Sequence, residues 1–130
     1  MLKLGAILGI VVAIFVGLFM VSSGENADKE SAFSAIQSAM SDGSSLIDVR
    51  EVDEYSESYI QGAINLPLSQ LQTGSPVDLD KSKTHYVYCR SGNRSAEAAD
   101  LLRQAGYSVV DLGGIDSVAQ SGGKLCSQSC

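Results

Sequence analysis

Hydrophobic positions along the chain follow two patterns, short apolar runs and helical spacing. The apolar runs predict buried strands at residues 46–49, 63–66, 85–88 and 108–112. Helical spacing predicts a helix around residues 33–40, another over residues 96–105 and a short one over residues 115–120. Because strands alternate with helices, the chain is predicted to form an α/β domain whose central, mainly parallel sheet of about four or five strands carries helices on both faces.

The first 23 residues depart from both patterns. Residues 4–21 carry no charge and are mostly apolar, and as one N-terminal hydrophobic helix they would extend roughly 27 Å, about the thickness of a hydrocarbon core. Small residues at Ser22 and Ser23 would also permit cleavage after an export signal. Residues 1–23 are therefore predicted to be a transmembrane anchor or a signal peptide, and the polar residues 24–30 a linker.

Charges around this segment predict its orientation. Lys3 precedes the apolar stretch and acidic residues follow it, so the positive-inside rule keeps the N-terminus in the cytoplasm. In a bacterium the domain would then lie in the periplasm, either anchored to the inner membrane or released after cleavage. Small residues recur at every fourth position and would permit helix dimerisation, although such residues are common in membrane segments: Gly5, Gly9, Ala13 and Gly17.

Charge excludes one class of partner. The chain of 130 residues carries 9 Lys and Arg against 15 Asp and Glu, a net charge of −6. Without Lys3, the remainder holds 8 basic and 15 acidic residues, which gives −7. Nucleic-acid binding requires a basic surface, so no nucleic-acid partner is expected.

The candidate reactive group is Cys89, which lies where the third predicted strand gives way to a helix. Open α/β sheets bind ligands at this edge. Gly92 lets the loop curl so that backbone N–H groups point inward, and Ser95 is the predicted N-cap of the helix. These donors, the positive helix end and two arginines favour the thiolate, the nucleophilic form of cysteine. The candidate site comprises Cys89, Arg90, Ser91, Gly92, Asn93, Arg94 and Ser95.

The spacing between Cys89 and Arg94 bears on which anion the loop holds. Protein tyrosine phosphatases and related arsenate reductases have five residues between their cysteine and arginine, a loop wide enough for a tetrahedral oxyanion. Four residues separate the two here. The tighter loop suits a single sulfur atom attached to the cysteine, and phosphatase or arsenate reductase activity stays an alternative for a side-by-side assay.

The ordered motifs of the soluble part resemble those of the rhodanese family, the thiosulfate sulfurtransferases and their single-domain relatives. The resemblance covers roughly residues 31–125, and its motifs are residues 46–51, residues 54–55 with Ile60, residues 62–67, residues 89–95 and residues 112–115. The chain departs from the family at Ser58 and Tyr59, where glycine and histidine are usual, and at Val118 and Lys124, where tryptophan and proline are. None of these departures falls in the cysteine loop.

The resemblance implies a rhodanese domain over residues 31–125, followed by a Cys-containing tail at residues 126–130. It also implies a sulfurtransferase that works in two steps and needs no metal or organic cofactor. Cys89 would take a sulfane sulfur from thiosulfate or a persulfide donor, then pass it from a cysteine persulfide to cyanide or a thiol. A non-catalytic rhodanese-like binding module at the membrane is the alternative.

Several residues outside the loop have candidate roles. Asp48 and Arg50 are predicted to order the adjacent loops rather than to catalyse. Cys126 and Cys130 could form a disulfide, act as a dithiol that accepts sulfur from Cys89 or resolves its oxidised form, or belong to an exposed tail without function. His85 is the single histidine, which disfavours a metal site or a Cys–His pair and leaves a surface or capping role.

The acidic run that follows the first strand is interpreted as the solvated face of a short helix. Its members are Glu51, Asp53, Glu54 and Glu57.

Overall fold

The computed structural model describes the backbone of residues 24–130 and the side chains of residues 32–130. The helices are α1 Gly24–Ser41, α2 Val52–Glu57, α3 Leu68–Gln72, α4 Asn93–Gln104 and α5 Ile115–Gln120. The strands are β1 Leu46–Asp48, β2 Ser58–Ile60, β3 Ile64–Asn65, β4 Thr84–Cys89, β5 Ser108–Gly114 and β6 Leu125–Ser127.

Four of the strands form a parallel sheet in the order β3-β1-β4-β5. The predicted α/β architecture with a mainly parallel sheet is thereby confirmed. The carboxyl ends of β1, β4 and β5 meet at one edge of this sheet, so the segments after Asp48, Cys89 and Gly114 become neighbours. Strands β2 and β6 pair separately as an antiparallel ribbon.

Hydrophobic residues are buried on both faces of the parallel sheet, which explains the continuous apolar runs in its strands. On one face, Ile47 and Val87 pack with side chains from α3 and α4, such as Leu68 and Leu102. On the other face, Leu46 and Tyr88 pack with side chains from α1 and α5, among them Phe33, Ile36, Ile115 and Val118. Each face of the sheet therefore packs against its own hydrophobic core.

Only one of the predictions for the N-terminal residues concerns a part of the chain that the structure describes. Helix α1 covers Gly24–Ser41 of the described residues, so residues 24–30, predicted to be a linker, are helical. Alanine, glutamate and lysine in this stretch favour a helix, and their combined propensity outweighs the single glycine. The predicted anchor or signal, and the stripe of Gly5, Gly9, Ala13 and Gly17, lie outside the described residues. From residue 24 onward, the structure contains no helix with the length and apolarity needed to cross a membrane.

The C-terminal residues belong to the fold, and of the three alternatives for Cys126 and Cys130 the structure contains the disulfide and not the exposed tail. Strand β6 pairs with β2 in the register Ser58 to Ser127, Tyr59 to Cys126 and Ile60 to Leu125. Cys126 is only 2% exposed and is joined to Cys130 by a disulfide bond. Pairing with β2 satisfies backbone groups that a free tail would leave to solvent, so the tail predicted at residues 126–130 is structured at its start.

His85 is buried, although a surface or capping role was predicted for it. Its Nδ1 accepts a hydrogen bond from the Ser45 backbone N–H at 3.0 Å, and its Nε2 lies 2.7 Å from the Asp80 carbonyl oxygen. The first bond makes Nδ1 the acceptor, so Nε2 carries the proton and donates. The imidazole thus joins the loops at the start of β1 and β4.

Candidate active site

The Cys89 side chain lies at the end of β4 and is 1% exposed. Opposite it, β5 ends at Gly114, and the pairing between the two strands is irregular after Val87. A Cβ atom on Gly114 would lie 2.7 Å from the Arg90 carbonyl oxygen. Only glycine allows β5 to approach this closely, so Gly114 is part of what shapes the cysteine loop.

The loop after Cys89 turns back over the sulfur. The Gly92 backbone N–H donates to Cys89 Sγ at 2.9 Å. Gly92 has a φ of +103° and is the N-cap of α4, a conformation that favours glycine. Ser95, predicted as the cap, instead lies in the first turn of the helix, because the left-handed Gly92 starts the helix three residues earlier.

The Ser95 hydroxyl lies at the centre of the hydrogen bonds around the thiol. Cys89 Sγ donates to Ser95 Oγ across 3.5 Å, and Ser95 Oγ donates to the Gly92 carbonyl oxygen at 3.0 Å. A hydroxyl both donates and accepts, and its hydrogen rotates. When the thiol loses its proton, the same hydroxyl can therefore turn and donate to the thiolate.

These contacts set the ionisation of the nucleophile. Burial of the Cys89 side chain raises its pKa, because a charged sulfur is poorly solvated there. Hydrogen bonds from the Ser95 hydroxyl and from the backbone N–H groups of Ser95, Gly92 and Ser91 act in the opposite direction and prevail. The pKa of Cys89 consequently lies below its ordinary value, as the sequence predicts for a thiol in this setting.

The two loop arginines have different environments. Arg94 is bound to Glu54 through two hydrogen bonds, from Nη1 to Oε2 at 2.6 Å and from Nη2 to Oε1 at 2.9 Å. Because of this pairing, the pKa of Glu54 falls from 4.5 to about 2. Arg90 is exposed and takes part in none of the salt bridges of the described residues. Both arginines were predicted to be available to an anion, but the Arg94 guanidinium is occupied by Glu54.

Glu54 is the site residue that the interpretation of the acidic run as a solvated face missed. It is 40 residues away from Arg94 in the chain. Residues 54–55 belong to one of the motifs that carry the family resemblance, but the local pattern does not indicate Arg94 as the partner. Its second contact, from the Glu51 backbone N–H to Glu54 Oε2 at 3.1 Å, is a helix-capping arrangement. The three-residue spacing between Glu51 and Glu54 could have indicated the helix cap, but it carries no information about the ion pair with Arg94.

Asp48 and Arg50 form a buried ion pair. The Arg50 Nη2 lies 2.6 Å from Asp48 Oδ2 and also donates to the Ser58 carbonyl oxygen at 2.6 Å. Asp48 further accepts the Arg50 backbone N–H at 2.9 Å. The pair thus fixes the turn after β1 and ties it to β2, an arrangement suited to the loop-ordering role predicted for both residues.

The hydrogen bonds described for Cys89 Sγ involve no side chain from the remaining loop residues. The side chains of Ser91 and Asn93 are exposed, and Ser91 acts on the thiol through its backbone N–H. Among residues 24–130, no group of three or more His, Cys, Asp or Glu side chains is arranged to hold a metal ion.

Together these features define a class: an α/β domain with a cysteine at the end of a central parallel strand, inside a loop of inward N–H groups. A sequence profile described as "Rhodanese-like domain" matches residues 33–121. That is more than half of the chain, and the chain belongs to the rhodanese-like domain family.

Relatives of known name are similar over this region. The thiosulfate sulfurtransferase PspE of Escherichia coli (strain K12) is 38% identical over 78 residues, which cover 56% of this chain and 72% of that protein. A putative mitochondrial thiosulfate sulfurtransferase of Schizosaccharomyces pombe is 38% identical over 77 residues, which cover 50% of this chain and 54% of that protein. The chain therefore spans about half the length of the second relative.

Solved structures share the fold. The Anabaena protein Alr3790 superposes with a TM-score of 0.64 at 27% identity, covering 75% of this chain and 89% of that chain. A structure described as a rhodanese with anions from E. coli gives a TM-score of 0.54 at 34% identity, covering 65% of this chain and 98% of that one.

Proposed function

We propose that the protein is a sulfurtransferase that carries a sulfane sulfur as a persulfide on Cys89. The observation that carries this proposal is the buried sulfur of Cys89, which accepts the Gly92 N–H at 2.9 Å and lies beside the Ser95 hydroxyl. Such donors stabilise a negative sulfur before and after it gains a second sulfur atom. The names of the two thiosulfate sulfurtransferase relatives support thiosulfate as the donor.

In the first step, the Cys89 thiolate attacks the outer sulfur of thiosulfate. A sulfur–sulfur bond forms on Cys89, the sulfur–sulfur bond of thiosulfate breaks, and sulfite leaves with the electron pair. The terminal sulfur of the new persulfide carries the negative charge, which the loop N–H groups stabilise. Arg90, which forms no ion pair with any residue whose side chain the structure describes, attracts the anionic donor against the negative charge of the domain.

In the second step, the terminal sulfur takes a proton from solvent and an acceptor attacks it. The acceptor is a thiolate or cyanide, the sulfur–sulfur bond on Cys89 breaks, and Cys89 leaves as a thiolate. The Ser95 hydroxyl can donate to that thiolate, so the group that lowers the pKa of Cys89 also stabilises it as a leaving group.

Intact mass after thiosulfate treatment tests the proposal. The wild-type protein should gain the mass of one sulfur atom and release sulfite, whereas Cys89→Ser should gain nothing. Of the three cysteines, the other two are joined in a disulfide, so the gain reports on Cys89. Wild-type protein that gains no sulfur from thiosulfate would refute the proposal.

Parallel assays separate the rival functions. Phosphate-ester or arsenate turnover without sulfur transfer would identify a phosphatase or an arsenate reductase. A folded protein without any of these activities would favour a binding module. The proposal requires sulfur transfer to cyanide or a thiol that Cys89→Ser abolishes while its circular dichroism spectrum is unchanged.

We further propose that residues 1–23 export the domain to the periplasm, as an inner-membrane anchor or as a cleaved signal. The apolar stretch at residues 4–21 supports export. The bond between Cys126 and Cys130 also supports it, because disulfides persist in oxidising compartments. Fractionation of expressing cells, with the mass of the mature N-terminus, distinguishes anchor from signal. Protein found intact in the cytoplasm would contradict export.

A further inference from the structure

A polar cavity of about 240 Å³ lies at the carboxyl edge of the sheet, beside the cysteine loop. Arg90, the residue after Cys89, forms one side of it. The start of α5 contributes Ile115 and Asp116, and the junction of α2 with β2 contributes Glu57 and Ser58. A ligand in this cavity would therefore be next to the loop that holds the reactive sulfur.

The charges lining this cavity divide into paired and unpaired groups. The guanidinium of Arg50 is paired with Asp48, and the carboxylate of Glu54 with Arg94. Arg90, Glu57 and Asp116 form no salt bridge with any residue that the structure describes. The cavity thus presents one available cation, on the residue that follows Cys89 in the chain, and two available carboxylates.

This arrangement is poorly matched to thiosulfate alone. A doubly negative donor gains from Arg90 but is repelled by Glu57 and Asp116. A molecule with both an ammonium and a carboxylate group would use all three side chains. Its aliphatic carbons would face Ile115, which is 8% exposed.

We propose that the cavity is the acceptor subsite and that it takes small zwitterionic thiols of the amino-acid type. Arg90 binds the carboxylate of the acceptor, and Glu57 and Asp116 bind its ammonium group. The inference rests on the proposed sulfur transfer and extends it to the class of acceptor. The acceptor thiolate attacks the protonated outer sulfur of the persulfide, the bond to Cys89 breaks, and the product is the acceptor's persulfide with Cys89 as thiolate.

Three related thiols separate the contributions of the two charges. L-Cysteine carries both groups, 3-mercaptopropionate lacks the ammonium group, and cysteamine lacks the carboxylate. Wild-type protein is first loaded with sulfur, and the second-order rate constant of discharge is then measured for each thiol at equal thiolate concentration. The proposal predicts the largest rate constant for cysteine.

Glu57→Gln and Asp116→Asn test the ammonium contact. Each variant should slow discharge by cysteine about three- to fivefold, as expected for one partly exposed ion pair. Each should leave discharge by 3-mercaptopropionate as fast or faster, and should speed loading by thiosulfate because a repelling charge is removed. Asp53→Asn is the matched control, since Asp53 is an exposed carboxylate of α2 outside the cavity.

Equal slowing of cysteine and 3-mercaptopropionate in the two variants would overturn the proposal, as would equal rate constants for the three thiols in the wild type. A separate measurement does not depend on sulfur transfer: nuclear magnetic resonance titration with S-methyl-L-cysteine against 3-(methylthio)propionate. The proposal predicts preferential binding of the zwitterion, weakened in Glu57→Gln. Failure of loading by thiosulfate refutes the proposed function, whereas failure of this titration refutes the subsite.

Discussion

Ser95 joins the fold to the chemistry at the scale of a single residue. It is buried in the first turn of α4, and its hydroxyl lies 3.5 Å from Cys89 Sγ and 3.0 Å from the Gly92 carbonyl oxygen. The sequence predicted Ser95 as the N-cap of this helix. In the structure Gly92 is the N-cap, and the Ser95 side chain contacts the sulfur instead. One hydroxyl can therefore accept a hydrogen bond from the thiol, donate to the thiolate, and donate to a carbonyl oxygen of the loop.

We expect Ser95→Ala to raise the pKa of Cys89, because the thiolate loses a hydrogen-bond donor while its burial is unchanged. Thiosulfate loading should fall about three- to tenfold at neutral pH and recover as the pH rises. The rate of iodoacetamide modification as a function of pH measures the shift directly. Ser117→Ala, an exposed serine of α5, is the control, and an unchanged pH profile in Ser95→Ala would contradict the role of the hydroxyl.

At the scale of elements, the end of β5 and the cysteine loop share one tight contact. A Cβ atom at Gly114 would meet the Arg90 carbonyl oxygen at 2.7 Å. Gly114→Ala should therefore displace the loop, lower the free energy of unfolding by about 1–3 kcal/mol and slow sulfur loading about tenfold or more. Urea denaturation and the loading assay measure the two effects.

Gly74→Asn is the control for Gly114→Ala. Gly74 has a φ of +70°, and a Cβ atom added there would have no neighbouring atom within 4 Å. Asparagine tolerates this backbone conformation. Comparable losses in both variants would show that the contact with Arg90 is not what makes Gly114 necessary.

A second contact between elements joins α2 to α4 through Glu54 and Arg94. The pKa of Glu54 is lowered from its ordinary value of 4.5 to about 2 in the folded protein, chiefly by the hydrogen bonds from Arg94, so the ion pair stabilises the fold above pH 4.5. This stabilisation is lost as the pH falls from 4.5 towards 2. After allowance for solvent screening it amounts to about 1 kcal/mol.

Urea denaturation at a series of pH values from about 6 down to about 2 tests this linkage, because carboxyl groups titrate within that range. Glu54→Gln should be less stable than the wild type at the upper limit, and the difference should shrink as the pH falls. Asp53→Asn, which removes an exposed charge from the same helix, should not reproduce this dependence. A difference that is constant with pH would contradict the assignment.

The elements themselves were largely predictable, whereas long-range polar contacts were not. Apolar runs at residues 46–49 and 85–88 are buried on both faces of the sheet, so their pattern alone indicates parallel strands. The partners of Glu54 and His85 depend on how distant loops meet, which no local pattern records. Strands β2 and β6 and helix α3 were missed for a related reason: each has only three to five residues, too few for a periodic pattern, and the two strands are recognisable only by their pairing with each other.

At the scale of the whole molecule, the disulfide joins Cys130 to Cys126, and Cys126 lies in β6, the strand that pairs with β2. Strand β2 in turn provides the Ser58 carbonyl oxygen to Arg50 and the Ile60 N–H to the Tyr88 hydroxyl, at 2.6 Å and 3.0 Å. The C-terminal ribbon is thereby connected to the centre of the domain.

Reduction of this disulfide should lower the free energy of unfolding by about 2 kcal/mol, the value expected for so short a ring. Urea denaturation with and without tris(2-carboxyethyl)phosphine measures the effect. The double variant Cys126→Ser with Cys130→Ser should match the reduced wild type and be insensitive to the reductant. Wild-type stability that does not respond to reduction would contradict this expectation.

The burial of Cys89 has a practical consequence for anyone who counts thiols in this protein. At 1% exposure, the sulfur is closed to bulky aromatic disulfides and to maleimides attached to dyes, which are much larger than the proposed donor thiosulfate. Under native conditions such labels would report a protein without free thiols, and unfolding without a reductant would reveal one. A negative labelling result on the native protein is therefore a measure of reagent size and says nothing about whether the cysteine is reactive.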